Sequence, residues 1–460
     1  MKFPFPVGVY INNRRFRKHF NADWIRAFVV AVLVAGMCQS AAAATLYVNP
    51  GGTIQVAVDK AAAGDTIQVA PGTYSEDVII GKSLSLVGAG SDRSIINAMQ
   101  LPIGIWIDGI DHPGLSNVVV TGFTIENANF EGILVTNASF ITIFDNEVIN
   151  NDKSLIFTPT GPECPGIPGF ETNEGFDCGE GIHLSGVDHS VVSNNTSKHN
   201  AGGILLSDDS GATHDNLITG NVVMNNPFDC GITLASHPPA ASTGSLSPFG
   251  VFHNTIAENE SSSNGLAVEG AGAGVGIFAP GPGNKVYANV VINNELKDNG
   301  LPGVALHNHG VAPMDTPAVN LNDNLIAGNR ISGNGADTED AATPGPTGIN
   351  VFGVAPVTGT IISGNVIDDE AVDIATNTPA QVNVHLNDLL GGRKTIGVNN
   401  ISATVDATEN WWGSPAGPGK GGATTVSGTG VSVTPWLRHP IQEDDEKGNQ
   451  GGDRGNNSEQ

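Results

Sequence analysis

Along the middle of the chain, short runs of alternating apolar and polar residues recur between asparagines. The hexapeptides NEVINN (from Asn146), NTSKHN (Asn195), NVVMNN (Asn221), NTIAEN (Asn254), NVVINN (Asn289), NRISGN (Asn329) and NVIDDE (Asn365) align, and six of the seven read Asn, four residues, Asn. Short β-branched stretches such as ITIFD, LITG, LIAG and IISG precede them. Most are followed by a second strand of the form Gly-apolar-x-apolar: GIHL (Gly181), GILL (Gly203), GITL (Gly231), GVAL (Gly303) and GINV (Gly348), with GIFA (Gly276) a looser member. Alternation of period two marks strands with unlike faces, and no helical period intervenes. Two strands and a tight turn per repeat predict one coil of a parallel β-solenoid, whose coils bury their apolar faces only by stacking.

Stacking also explains the asparagines. Coils about 4.8 Å apart set a side chain at a fixed turn position against its counterpart one rung away, where asparagines hydrogen-bond as a ladder. Asn also tolerates the left-handed backbone of a sharp bend. Leading asparagines are 49, 26, 33, 35, 40 and 36 residues apart, so the coils carry insertions. These fall before or after the Gly-apolar strands, at 152–178, 237–249, 261–273, 310–321 and 335–346, and never in the Asn turn. Loops along both edges of one sheet predict a cleft over it.

The ends suit the same plan. TIQVAVDKAAAG places Ile54, Ala57, Val58, Ala61 and Ala62 on one helical face, with Thr53 as N-cap and Gly64 as C′. That predicts a short amphipathic helix over the first rung, which otherwise exposes strand edges. Trp411, Trp412 and Trp436 lie where the last rung needs a lid, and the residues from 441 to 460 are poor in apolar side chains and expected to be a disordered acidic tail.

Composition narrows the class. Among 460 residues are 60 Gly and 27 Pro, with 14% charged and 6% aromatic, which excludes a helical bundle or coiled coil. The formal charge of -26 opposes a phosphate-backbone footprint, so nucleic acid is excluded as an expected partner. Lys2, Arg14, Arg15, Arg17, Lys18 and Arg26 precede the apolar run from Ala27 to Met37 and a small-residue segment ending at Ala44, the layout of a secretory signal peptide. Residues 1–44 are therefore expected to be removed, leaving no membrane span and a β-helix domain over 45–440, secreted or periplasmic, and monomeric. In an oxidising compartment Cys164 and Cys178, which bracket a Pro/Gly-rich stretch, could form a disulfide and leave Cys230 buried and free.

GDTIQVAPGTY with KSLSLVGAG, the Asn rungs and the terminal NWWGSPAGP resemble exported bacterial right-handed parallel β-helix proteins of the pectin-lyase-like superfamily. The resemblance covers essentially the mature chain. It implies an all-β, single-stranded right-handed parallel β-helix, and a range of functions: polysaccharide lyases, polygalacturonase-type hydrolases, alginate epimerases, adhesin-like proteins and the nitrous-oxide-reductase accessory protein.

Chemistry-bearing residues gather on the Gly-apolar strands. Glu180 and His183, Asp208 and Asp209, His237, and His307 and His309 would come near one face by stacking, with His214 and Asp215 in the next turn. Carboxylates and imidazoles so placed suit a general acid/base pair or a metal site such as calcium, if any cofactor is used. Asp208-Asp209 resembles the paired aspartates of polygalacturonase-type hydrolases and His309-Gly310 resembles their Gly-His-Gly, although no Asn-Thr-Asp element precedes Asp208 and Ser332 follows Arg330-Ile331. Lyases of the superfamily use Lys or Arg on this face, whereas Lys153, Lys198, Lys285 and Lys297 lie in turns. The expectation is a protein that binds polysaccharide in the cleft and, if an enzyme, cleaves it as a hydrolase or lyase. Asp208, Asp209, His237, His307 and His309 are its candidate catalytic residues; Glu180, His183, His214 and Asp215 are its candidate substrate contacts. An adhesive solenoid and a metal-delivery protein are the alternatives.

Overall fold

The computed structural model describes residues 43–159, 161–169, 178–236, 249–310, 317–338 and 343–441. Residues 1–42 of the expected signal peptide, residues 442–460 of the expected tail and the candidate His237 lie outside the described residues.

Three long sheets run the length of the described chain. Sheet 1 has fourteen strands from Thr45–Val48 to Val431–Ser432, sheet 2 has eleven from Gly72–Tyr74 to Asp388–Leu389, and sheet 3 has twelve from Val78–Ile80 to Thr425–Ser427. Each strand pairs in parallel with its equivalent one coil away: Val191–Ser193 with Leu217–Thr219, Thr196–Lys198 with Val222–Met224, and Gly202–Ser207 with Ile232–Ala235. One coil visits the sheets in the order 1, 2, 3. This is the all-β parallel β-helix that the repeat predicts, right-handed as the resemblance implies, but with three strands per coil where the repeat shows two: the β-branched stretch before the Asn hexapeptide and the hexapeptide itself are separate strands, divided by an Asn corner.

The period-two pattern fixes which side chains enter the core. Ile182 and Leu184 align with Ile204 and Leu206 and then with Ile232 and Leu234, all at most 1% exposed. Equivalent columns from the other sheets join them in one cluster from Val48 to Ala423. Each fully buried aliphatic side chain contributes about 1.5–3 kcal/mol. A glycine opens these strands because its Cβ position points into the corner: one added at Gly203 would run into Val223 and the Gly231 carbonyl. GIFA is out of register with the rest, since Gly276 pairs with Thr233 in mid-strand and Gly274 holds the corner.

The asparagines form three ladders. The first, at the turn from sheet 1 to sheet 2, runs Asn146, Asn195, Asn221, Asn259, Asn294, Asn329, Asn365, Asn387, Asn410. Asn151 to Asn334 make a second at the turn into sheet 3, and Asn216 to Asn324 a third at the turn into sheet 1. Asn254 and Asn289 belong to the third ladder, so two of the seven aligned hexapeptides frame sheet 1 while the others frame sheet 2. Asparagine recurs every five residues at three corners, and a hexapeptide with Asn at both ends cannot tell which strand it encloses. Along the first ladder successive partners are 49, 26, 38, 35, 35, 36, 22 and 23 residues apart.

The helix α1 spans Ile54–Lys60 and lies against Thr45–Val48, Thr66–Val69 and Val78–Ile80, with Ile54, Ala57 and Val58 buried. It stops short of Gly64, with Ala61 as its C-cap, and Thr53 makes no side-chain capping bond. Glu76 caps it instead, accepting from the Ile54 and Gln55 amides at 2.7 and 3.0 Å. A carboxylate at the helix N-terminus also meets the positive end of its dipole, and sequence spacing gives no sign of a cap from another coil. At the far end Trp412 is fully buried in the core, and Trp436 packs partly against it. Cys164 and Cys178 are disulfide-bonded with Cα atoms 5.7 Å apart, and Cys230 is free and buried.

Candidate functional site

Because Ile182 and Leu184 point inward, His183 and Ser185 point outward from sheet 3, in register with Leu205 and Ser207 on the next rung. His183 Nε2 lies 2.8 Å from Ser207 Oγ, and Ser207 Oγ donates to Asp209 Oδ2 at 2.9 Å. A serine hydroxyl has one proton to give, so with Ser207 donating to Asp209, His183 Nε2 must carry the hydrogen donated to Ser207. The other ring nitrogen, Nδ1, faces Glu131 Oε1 at 3.9 Å. The result is a polar chain across three rungs, Glu131, His183, Ser207, Asp209, with every member at most 5% exposed. Among the described residues Glu131 makes no side-chain hydrogen bond through either oxygen, an expensive state for a buried carboxylate.

Asp208 turns to a different partner from Asp209, accepting from Ser236 Oγ at 3.0 Å on the following rung. Glu180 and Asp229 flank Gly202, where an added Cβ would lie 2.9 Å from Glu180 Oε1 and 3.3 Å from Asp229 Oδ2. Asp229 borders Cys230, whose thiol is pushed well up, first by burial and then by the Asp229 charge.

Further along sheet 3, His307 aligns with Phe278 and Phe352 on its two neighbouring rungs. Its Nε2 is 2.8 Å from Asp337 Oδ2, and Asn350 Nδ2 donates to the same oxygen at 3.0 Å. His307 meets Phe278 edge-on at 5.5 Å and His309 at 5.9 Å, and His309 lies 5.7 Å from Phe352. His307 is buried, Phe278 and Phe352 are half-buried, and His309 is exposed. The ledge is thus a set of partly exposed rings, held from beneath by an imidazole–carboxylate pair.

His214 and Asp215 lie apart from both groups. They occupy the corner between sheets 3 and 1, beside His189 and His253.

The structure therefore joins His183 with Asp209 and His307 with His309, and gives Asp208 a different partner. Glu131, Ser207, Asp337 and Asn350 escaped sequence reasoning. Glu131-Gly132 repeats Glu180-Gly181 one rung earlier, and that parallel was a usable signal. Asp337 comes from an insertion, where rung alignment carries no information.

Comparison with known proteins gives two overlapping matches, residues 75–239 and 168–300, to a family described as Periplasmic copper-binding protein (NosD). No protein of curated function matches the chain. Among solved structures, the A-module of the Azotobacter vinelandii mannuronan C-5 epimerase AlgE6 is similar at 15% identity, TM-score 0.47, over 85% of this chain and 95% of that one. Alginate lyase from Paenibacillus sp. str. FPU-7 is similar at 14% identity, TM-score 0.46, over 70% and 95%. Pectate lyase Pel9A is similar at 14% identity, TM-score 0.43, over 74% and 78%. Three parallel sheets built one strand per coil give this chain the parallel β-helix fold, and its residues 75–300 are similar to the family described as periplasmic copper-binding.

Proposed function

We propose that this is an extracytoplasmic protein that binds polysaccharide along the outer face of sheet 3. The observation that carries the reading is the ledge of Phe278, His309 and Phe352 over buried His307, on the sheet whose two edges receive every long insertion. Aromatic rings present flat apolar faces with polar edges, which suit the C–H faces and hydroxyls of sugars. The disulfide supports an oxidising compartment, and among the described residues no helix is long and apolar enough to cross a membrane.

Cleavage is the narrower form of the proposal. Asp208 and Asp209 would serve as acid and base or hold calcium, with Ser207, itself held by His183, orienting the Asp209 carboxylate. The test is a panel of pectic, alginate and glucan polymers offered to the purified protein. Retardation by at least one polymer is expected, with new reducing or unsaturated ends if it cleaves. Binding to none of them contradicts the proposal.

The family match favours a second reading, metal carriage, because the matched family is described as copper-binding. Saturable uptake of copper by the purified chain is its expected result.

A further inference from the structure

We infer that the corner between sheets 3 and 1 holds a divalent transition-metal site formed by His189, His214 and Asp215. Among the described residues this is the one place where three ligand atoms of His, Cys, Asp or Glu side chains come within 4.8 Å of one another. The inference deepens the metal-carriage reading by naming where the ion sits, and it is independent of carbohydrate binding on sheet 3.

The corner is built by the coil. Asp188 pairs with His214 across one rung, and His214 pairs with Phe252 across the next. His189, Asp215 and His253 follow these residues and share a left-handed backbone, with φ of 51°, 56° and 57°. Stacking therefore brings residues far apart in sequence to neighbouring rungs, with the His189 and His214 rings 6.1 Å apart and nearly perpendicular.

Ring orientation is already set for ligation. Asp188 Oδ1 lies 2.6 Å from His189 Nδ1, and Asp215 Oδ2 lies 2.9 Å from His214 Nδ1. Asp188 holds the proton at His189 Nδ1 and leaves its Nε2 with a free lone pair, the usual arrangement behind a metal-bound imidazole, whereas Asp215 Oδ2 and His214 Nδ1 lie close enough for one ion to displace the proton between them and take both as ligands. Asp215 Oδ1 is turned toward His253 Nδ1 at 3.9 Å, which makes His253 the nearest further ligand. Phe140 packs against His189 at 5.3 Å and Phe252 stacks on His214 at 4.8 Å, limiting how far either ring can swing away. Bonds of about 2.0–2.1 Å require the ligand atoms to close in modestly, which half-exposed side chains can do by rotation. Two imidazoles and a carboxylate suit zinc, nickel or cupric ions and do not suit calcium or magnesium.

The experiment is calorimetric titration of the full chain, carrying no histidine tag, with zinc, and with cobalt to read visible ligand-field bands. One ion per chain is expected. The double change His189→Ala with His214→Ala should abolish binding, and Asp188→Asn should weaken it by about ten- to a hundredfold, while His439→Ala at the far end leaves it unchanged. A wild-type chain that binds no ion overturns both this site and the metal-carriage reading. Binding that survives in the double variant overturns the site alone. Independently of any variant, bound zinc should slow diethyl pyrocarbonate modification of His189 and His214, and equal rates with and without zinc overturn the assignment.

Discussion

Two buried polar regions of the same solenoid are built on opposite terms. At the turn from sheet 1 to sheet 2, Asn259 accepts from the Asn221 amide and side chain at 3.0 and 2.9 Å and donates to Ile218 and Asn294, both at 3.0 Å. On the outer face of sheet 3, Glu131 is equally buried, yet both its oxygens lack hydrogen bonds among the described residues. The first region tolerates no insertion, and the second is bordered by all the long ones. A fully satisfied column holds the coil together, whereas a polar group left short of partners lowers stability and points to use by something other than folding.

The sharpest way to break this contrast is Asn259→Ala. It strands a buried amide and a buried carboxamide on Asn221, so a loss of about 3 kcal/mol or more is expected in denaturant unfolding; a loss under about 1 kcal/mol would mean that the ladder is ornamental.

Next in size is Glu370→Gln, at the end of the second ladder. Glu370 accepts from the Asn334 amide and side chain, and its carboxyl is pushed up to about 7, chiefly by burial. Asp373, fully buried nearby with neither oxygen hydrogen-bonded among the described residues, is also pushed well up by burial and by the Glu370 charge. A raised carboxyl binds its proton more tightly in the folded state, so its stabilisation is complete below the ordinary pKa and is lost as pH rises through about 7. Stability should therefore fall between about pH 4.5 and 7. Glu370→Gln, which keeps an acceptor for Asn334, should add about 1–3 kcal/mol at pH 8 and almost nothing at pH 4.

Phe352→Ala should reduce polysaccharide affinity by about three- to tenfold, measured by retardation in a polymer-loaded gel, while Phe140→Ala, at the corner between sheets 3 and 1, changes it little. The smallest effect on stability is expected from Glu131→Gln. Gln leaves an equally unbonded but uncharged group, so stability should stay unchanged or rise by about 1 kcal/mol, and a cost as large as that of Asn259→Ala would erase the distinction between the two regions.

Much of the fold was legible because stacking repeats itself. Alternation in GIHL and GILL gave the inward columns, and the constant Asn turn gave the rungs. What misled was local ambiguity: with asparagine at three corners, NTIAEN from Asn254 reads like NTSKHN from Asn195 although they enclose different strands. The cap on α1 was hidden because Glu76 lies a strand away in sequence. Site residues were legible only where rung alignment reaches. It brought Asp209 near His183, but it could not separate His214 and Asp215, which follow Asp208 by only a few residues and lie around a corner. Asp337 was invisible because it belongs to an insertion.

Hydrogen–deuterium exchange with and without a bound polysaccharide tests the assignment of sheet 3 most directly. Slowed exchange should concentrate in the segments 304–310 and 347–353 and in the insertions flanking them, leaving the Asn turn from sheet 1 to sheet 2 unchanged. Protection centred on that turn, or on the outer faces of sheets 1 and 2, would contradict it.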